Sequence, residues 1–163
     1  MHDSVAAERG TAIHELLSQI EWLDNTPEQA ILYAACQELG VDVVSPSPFR
    51  EALTRPTEGA TVWRERSFEM LQDDLWTSGT IDRVVFWEQH GMQYAIIYDY
   101  KSNRKRQNED PKTFTSRMRE SYAPQLAAYR QAIASLSGLP DCRITTRLLL
   151  TETLDCIEVT PST

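Results

Sequence analysis

Long apolar runs are missing from this 163-residue chain. None approaches the roughly 20 residues a membrane-crossing helix needs, which argues against a helical span. The opening MHDSVAAERG has neither the basic stretch nor the apolar run of a secretion signal, so a cytoplasmic setting is expected. Cysteine is scarce: Cys36, Cys142 and Cys156 form no CxxC pair, fit a reducing compartment, and read as small buried apolar residues. No GxxxxGK[ST] phosphate loop occurs, so the chain is not an ATP-driven motor of that kind. Internal repeats and low-complexity stretches are absent as well. Positive charge is in deficit, the net being −8, which argues against a protein that coats nucleic acid generally.

What is present is an ordinary globular balance, with 41% apolar and 25% charged residues. The length suits a single domain over residues 1–163, long enough for a real hydrophobic core. The charge is unevenly spread. Between Lys101 and Glu120 lie seven basic residues against three acidic ones, a net of +4, so the remainder carries −12 of the −8 total. A basic island on an acidic body directs a polyanion to one place, although a charge run alone is more often a solvated loop.

Ile13, Leu16, Leu17, Ile20 and Leu23 recur at helical spacing and predict a helix over residues 4–24. Thr26, Pro27 and Gln29 form a capping-box start for a second helix that Gly40 ends, and Ser47-Pro48 opens a short third. Three strand-like runs follow: TVWRERSFEM, GTIDRVVFWE and QYAIIYDYK. Gly79 and His90-Gly91 supply turn signals near their ends, and His90-Gly91 suits a hairpin between the second and third. A long helix is predicted from about Arg117 to Leu136, then two closing strands, RITTRLLLT and LDCIEVT. The order implies an α/β or α+β fold with a mixed sheet flanked by helices.

The third strand places Asp99 and Lys101 on the face of Ala95 and Ile97, which its beginning marks as interior. Asp82 in GTIDR falls on a face with Thr80, Val84 and Phe86, another acid among apolar neighbours. If the strands pair, Asp82 and Asp99 meet at one end of the sheet, and two close carboxylates need a positive charge between them. A hard divalent cation is the natural occupant. Asp99 is thus read as the partner of Asp82 rather than as a salt-bridge partner of Lys101. Lys101 could orient or help deprotonate a water, or stabilise a phosphoryl oxygen. His14, at the edge of the first apolar stripe, is by itself more often structural than a ligand. Gln125 and Tyr129, four apart on the long helix, share a face and by themselves indicate packing.

GxxxH on an early helix, GxxDR on a strand, DYK on the next strand and QLxxY on a long helix occur in that order, from about Gly10 to Tyr129. The set strongly resembles the RecB-type branch of the PD-(D/E)XK nucleases, found with recombination helicases of the RecB and AddA kind. The resemblance implies a restriction-endonuclease-like core and a DNA exonuclease of double-strand-break repair that cleaves phosphodiesters with metal-activated water. It implies that His14, Asp82, Asp99 and the Tyr100 carbonyl bind Mg²⁺ or Mn²⁺, with Lys101 beside the water. Gln125 would support the site and touch the DNA backbone, and Tyr129 would pack close by. Arg104, Lys105 and Arg106, in the basic island, would lie on the path of the phosphate backbone. Glu65 matches an acidic position of the family ahead of GxxDR, with an ion pair to Arg66 or Arg83 as its alternative role. A helicase domain or subunit is the implied partner, and three cysteines speak against the iron–sulfur cluster of related nucleases. A DNA-binding scaffold without turnover is the competing expectation.

Overall fold

Runs rich in β-branched and aromatic residues suit a pleated, half-buried surface, and each of the five became a strand. The computed structural model describes residues 2–160. In it β1 (Thr61–Gln72), β2 (Leu75–Gln89) and β3 (Met92–Lys101) form an antiparallel meander. Both hairpin turns are two residues long with positive φ at each position: Asp73 and Asp74 at 50° and 61°, His90 and Gly91 at 52° and 74°. That backbone matches the strand twist. The expected hairpin at His90-Gly91 is therefore present. Gly79, by contrast, lies within β2, and the turn before it is made by two aspartates that tolerate left-handed backbone.

Before the sheet come α1 (His2–Ser18), α2 (Pro27–Glu38) and α3 (Pro48–Ala52). α1 stops at Ser18, short of residue 24, because its last turn tightens into bonds from the Gln19 and Ile20 amides to Leu16 and Leu17. α2 starts as expected, with the Thr26 hydroxyl accepting from the Gln29 amide. The capping box is only half made, since the Gln29 side chain turns to the Trp22 carbonyl and the Asp24 amide. α4 (Pro111–Ser137) begins six residues ahead of Arg117. Asp110 caps the Lys112 and Thr113 amides there, and Pro111 takes the first turn, where no amide donor is missed.

α4 crosses from β3 to the parallel strand β4 (Ile144–Leu150), against which β5 (Asp155–Glu158) runs antiparallel. The sheet order is β1-β2-β3-β4-β5. Ala95, Ile97 and Val84 pack against Met118, Leu126 and Ile133 of α4. Tyr98, Tyr100 and Val85, on the other face, pack against Ile13, Leu17 and Phe49 of the helical layer. Of the cysteines expected to be buried, Cys36 is and Cys156 is partly so. Cys142 is exposed, in a one-turn 3₁₀ helix that lies outside both cores.

The sheet forks at one place. β2 pairs with β3 only from Arg83–Tyr98 to Gln89–Met92. Beyond Arg83, the Leu75–Asp82 half of β2 stays with β1, while β3 continues to Lys101 paired with β4 alone. Asp82 and Asp99 stand opposite each other where the two strands part. The face alternation also slips here, since Ile81 and Val84 both join the α4-side core. Opposite Asp82 in β1 lies Glu65, whose φ is 50°, a left-handed kink that breaks the alternation. Thr80, expected beside Asp82, Val84 and Phe86, is consequently turned out to solvent.

Candidate active site

The GxxDR stretch divides its labour between two faces. Gly79 lies under two aromatic rings: a Cβ there would stand 3.1 Å from Phe68 and 3.4 Å from Tyr129. Asp82 faces the fork. Arg83 points the opposite way and is fully buried, donating to the carbonyls of Ile20 (2.8 Å) and Glu21 (2.6 Å) beneath Trp22. It ties the end of α1 to the sheet and so fixes where His14 stands. The alternative of an ion pair from Glu65 to Arg83 or Arg66 does not occur. Arg83 is committed to α1, and Arg66 stacks over Trp63 at 4.8 Å. Burial and the nearby Asp82 charge raise the Glu65 pKa.

Asp82 accepts from the Tyr100 amide at 2.8 Å, and His14 Nδ1 stands 3.6 Å from its Oδ1. That contact is longer than a hydrogen bond yet short enough for the carboxylate to favour the imidazolium. Pairing with Asp82 holds the His14 pKa above its ordinary value, against the smaller effect of burial. Burial alone would raise Asp82, but His14 and the Tyr100 amide outweigh it and bring its pKa below the usual value. Asp99 goes the other way: burial first, then the Asp82 charge, push its carboxyl up to about 7 despite Lys101. One carboxylate of the pair is easily ionised and the other resists.

Lys101 Nζ is 2.6 Å from Asp99 Oδ2, so the ion pair set aside in the sequence reading is present together with the carboxylate pair. Nζ also donates to Gln125 Oε1 at 3.0 Å and rests 4.1 Å above the Tyr122 ring. The orientation of Gln125 follows from Tyr129. That hydroxyl donates to the Thr80 carbonyl (3.1 Å) and accepts from Gln125 Nε2 (2.9 Å), which leaves Oε1 for the lysine. Burial, with the two aspartates, lifts the Tyr129 pKa to about 12, so the hydroxyl keeps its proton. Gln125 and Tyr129, read by themselves as packing, therefore hold the lysine. Tyr122 was not singled out for the site. Its signal was its spacing, three before Gln125 and seven before Tyr129, on one stripe of α4.

The structure brings His14, Asp82, Asp99, Tyr100, Lys101, Gln125 and Tyr129 together at the fork. Arg104, Lys105 and Arg106 lie outside it, exposed on the loop from β3 to α4. That loop is pinned by Glu109, which accepts from the Arg106 amide and from Arg117. Among the described residues, no three His, Cys, Asp or Glu side chains converge tightly enough to hold an ion alone. The donors nonetheless fit a hard divalent cation. Asp99 Oδ2 is buried with the Lys101 ammonium against it and no further hydrogen-bond donor, and Asp82 and His14 stand across the fork. Mg²⁺ is commonly held by one or two carboxylates, with water and substrate phosphates completing its shell.

A mixed five-stranded sheet with helices on both faces, split at a carboxylate pair and a lysine, is a restriction-endonuclease-like α+β fold. The PD-(D/E)XK nuclease superfamily matches over residues 2–153, and the chain belongs to it. Its nucleases generally use divalent metal ions. No curated protein matches the chain in sequence. Among the described residues, no helix is long and apolar enough to cross a membrane.

Proposed function

We propose that the chain is a Mg²⁺- or Mn²⁺-dependent deoxyribonuclease of the RecB type, a single nuclease domain over residues 1–163. It acts as an exonuclease in recombinational repair in the cytoplasm, alongside a helicase domain or subunit. The observation that carries this reading is the Asp82–Asp99 pair at the fork with Lys101 against it, an ammonium beside two carboxylates of opposite tendency. The ordered motif set from Gly10 to Tyr129 supports the RecB branch.

In this reading Asp82, Asp99, His14 and the Tyr100 carbonyl hold the cation, which neutralises charge on the phosphoryl oxygens and acidifies water. The Tyr100 amide fixes Asp82 on one oxygen and leaves the other toward His14. Lys101, oriented by Gln125 and the Tyr122 ring, sits beside the attacking water and steadies negative charge on the phosphoryl group. Gln125 supports the site from α4, with Tyr129 behind it, and Arg104, Lys105 and Arg106 guide the phosphate backbone. The test is digestion of end-labelled linear and closed circular DNA with Mg²⁺ and with EDTA. Loss of label from linear DNA only, abolished by EDTA, is expected. Equal cutting of the circle would exclude an exonuclease, and no cutting of either would favour a scaffold without turnover.

A further inference from the structure

A groove of about 600 Å³ lies next to the fork, between the first two turns of α1 and the residues just after Lys101. Val5, Ala6 and Arg9 of α1 line one side and Ser102, Asn103 and Arg104 the other. His2 and Asp3 lie at its outer end. Gly10 lets the two walls close up, since a Cβ there would stand 2.7 Å from the Ser102 hydroxyl. Arg9 is held in place by two bonds to the Leu39 carbonyl, from Nε at 3.1 Å and from Nη2 at 2.8 Å. No carboxylate forms an ion pair with Arg9 or Arg104 among the described residues. Burial, and then the Arg104 charge, lower the Arg9 pKa against the opposing pull of Glu152.

The groove is wired to the site. Asn103 Oδ1 accepts from the Tyr122 hydroxyl at 3.1 Å, and the Tyr122 ring carries the Lys101 ammonium. Two guanidiniums line one groove against the single carboxylate of Asp3, a balance that suits an anion. The apolar side chains of Val5 and Ala6 in the same groove suit a sugar or base attached to that anion. Every residue from Lys101 to Arg104 borders either the fork or the groove, so the two are continuous along one stretch of backbone.

We propose that this groove seats the nucleotide adjoining the scissile phosphate, with Arg9 and Arg104 clamping its phosphate and Val5 and Ala6 lying against its sugar. The inference rests on the nuclease reading. It adds Arg9, on a helix outside the basic island, to the DNA-binding surface. A phosphate contact of this kind positions the strand without reading its bases.

The test is fluorescence anisotropy of a fluorescein-labelled single-stranded 12-mer, titrated at several salt concentrations. The background is Asp82→Asn, which keeps an oxygen for the Tyr100 amide while the probe stays whole. Arg9→Gln and Arg104→Gln are each expected to weaken binding roughly three- to tenfold at low salt and to reduce the salt slope by about one. Arg50→Gln, the same charge change outside the groove, should leave the slope unaltered. Arg104 is exposed and its guanidinium holds no hydrogen bond among the described residues, so its variant is read without concern for folding. If both groove variants bind no worse than Arg50→Gln while the parent still cleaves DNA, the groove assignment is wrong and the nuclease reading stands. If the parent neither binds nor cleaves DNA, both fall.

Discussion

Asp82 and Asp99 are the same residue type at the same fork, yet the first ionises readily and the second resists, with its carboxyl near pH 7. The difference lies in their partners. Asp82 has an amide and an imidazole that outweigh its burial, whereas for Asp99 burial and the Asp82 charge outweigh Lys101. A raised carboxyl pKa stabilises the fold fully below its unfolded value, about 4, and that contribution is lost as pH rises through about 7. Without added metal, the parent should therefore lose stability between pH 5 and pH 8. Asp99→Asn, which carries no charge, should lose less, by on the order of 1–3 kcal/mol. Thermal melts of both proteins in EDTA at the two pH values check this; parallel behaviour would contradict the buried charge. Mg²⁺ at pH 8 should stabilise the parent more than the variant.

At the scale of elements, α4 carries the polar support of the site on one stripe, and β2 presses against it through Gly79. Ser78 and Thr80 flank a position where a methyl group would meet the Phe68 ring at 3.1 Å and Tyr129 at 3.4 Å. Gly79→Ala is expected to destabilise by roughly 1–3 kcal/mol, as overpacked sites do, and to slow cleavage by displacing Tyr129 and with it Gln125. Chemical denaturation and a rate measurement on one preparation test this. A variant as stable and as fast as the parent would show that the contact is slack. The five strands were legible because β-branched runs announce strands locally. The start of α4 and the Asp73–Asp74 turn were misplaced because each depends on one cap or one backbone conformation that periodicity does not register. The face slip at Glu65 and Asp82 was not legible at all, since it goes with a left-handed backbone at Glu65 that periodicity does not register.

Across the whole molecule, negative charge dominates except along the stretch from Lys101 to Glu120, and that stretch begins at the fork. The residues that meet at the fork were legible as a candidate site because the motifs lie in order along the chain. Their connections were not. Arg83 reaching 63 residues back to Ile20, and Tyr122 beneath Lys101, are contacts that the tertiary fold creates. The central claim is that the carboxylate pair and the lysine at the fork form one cleaving centre. Its most direct test is the rate of Mg²⁺-dependent cleavage of linear DNA by the parent, Asp82→Ala and Lys101→Ala, with circular dichroism confirming the fold of each. Both variants should fold and lose at least about a hundredfold in rate. A folded variant that cuts as fast as the parent would contradict the assignment.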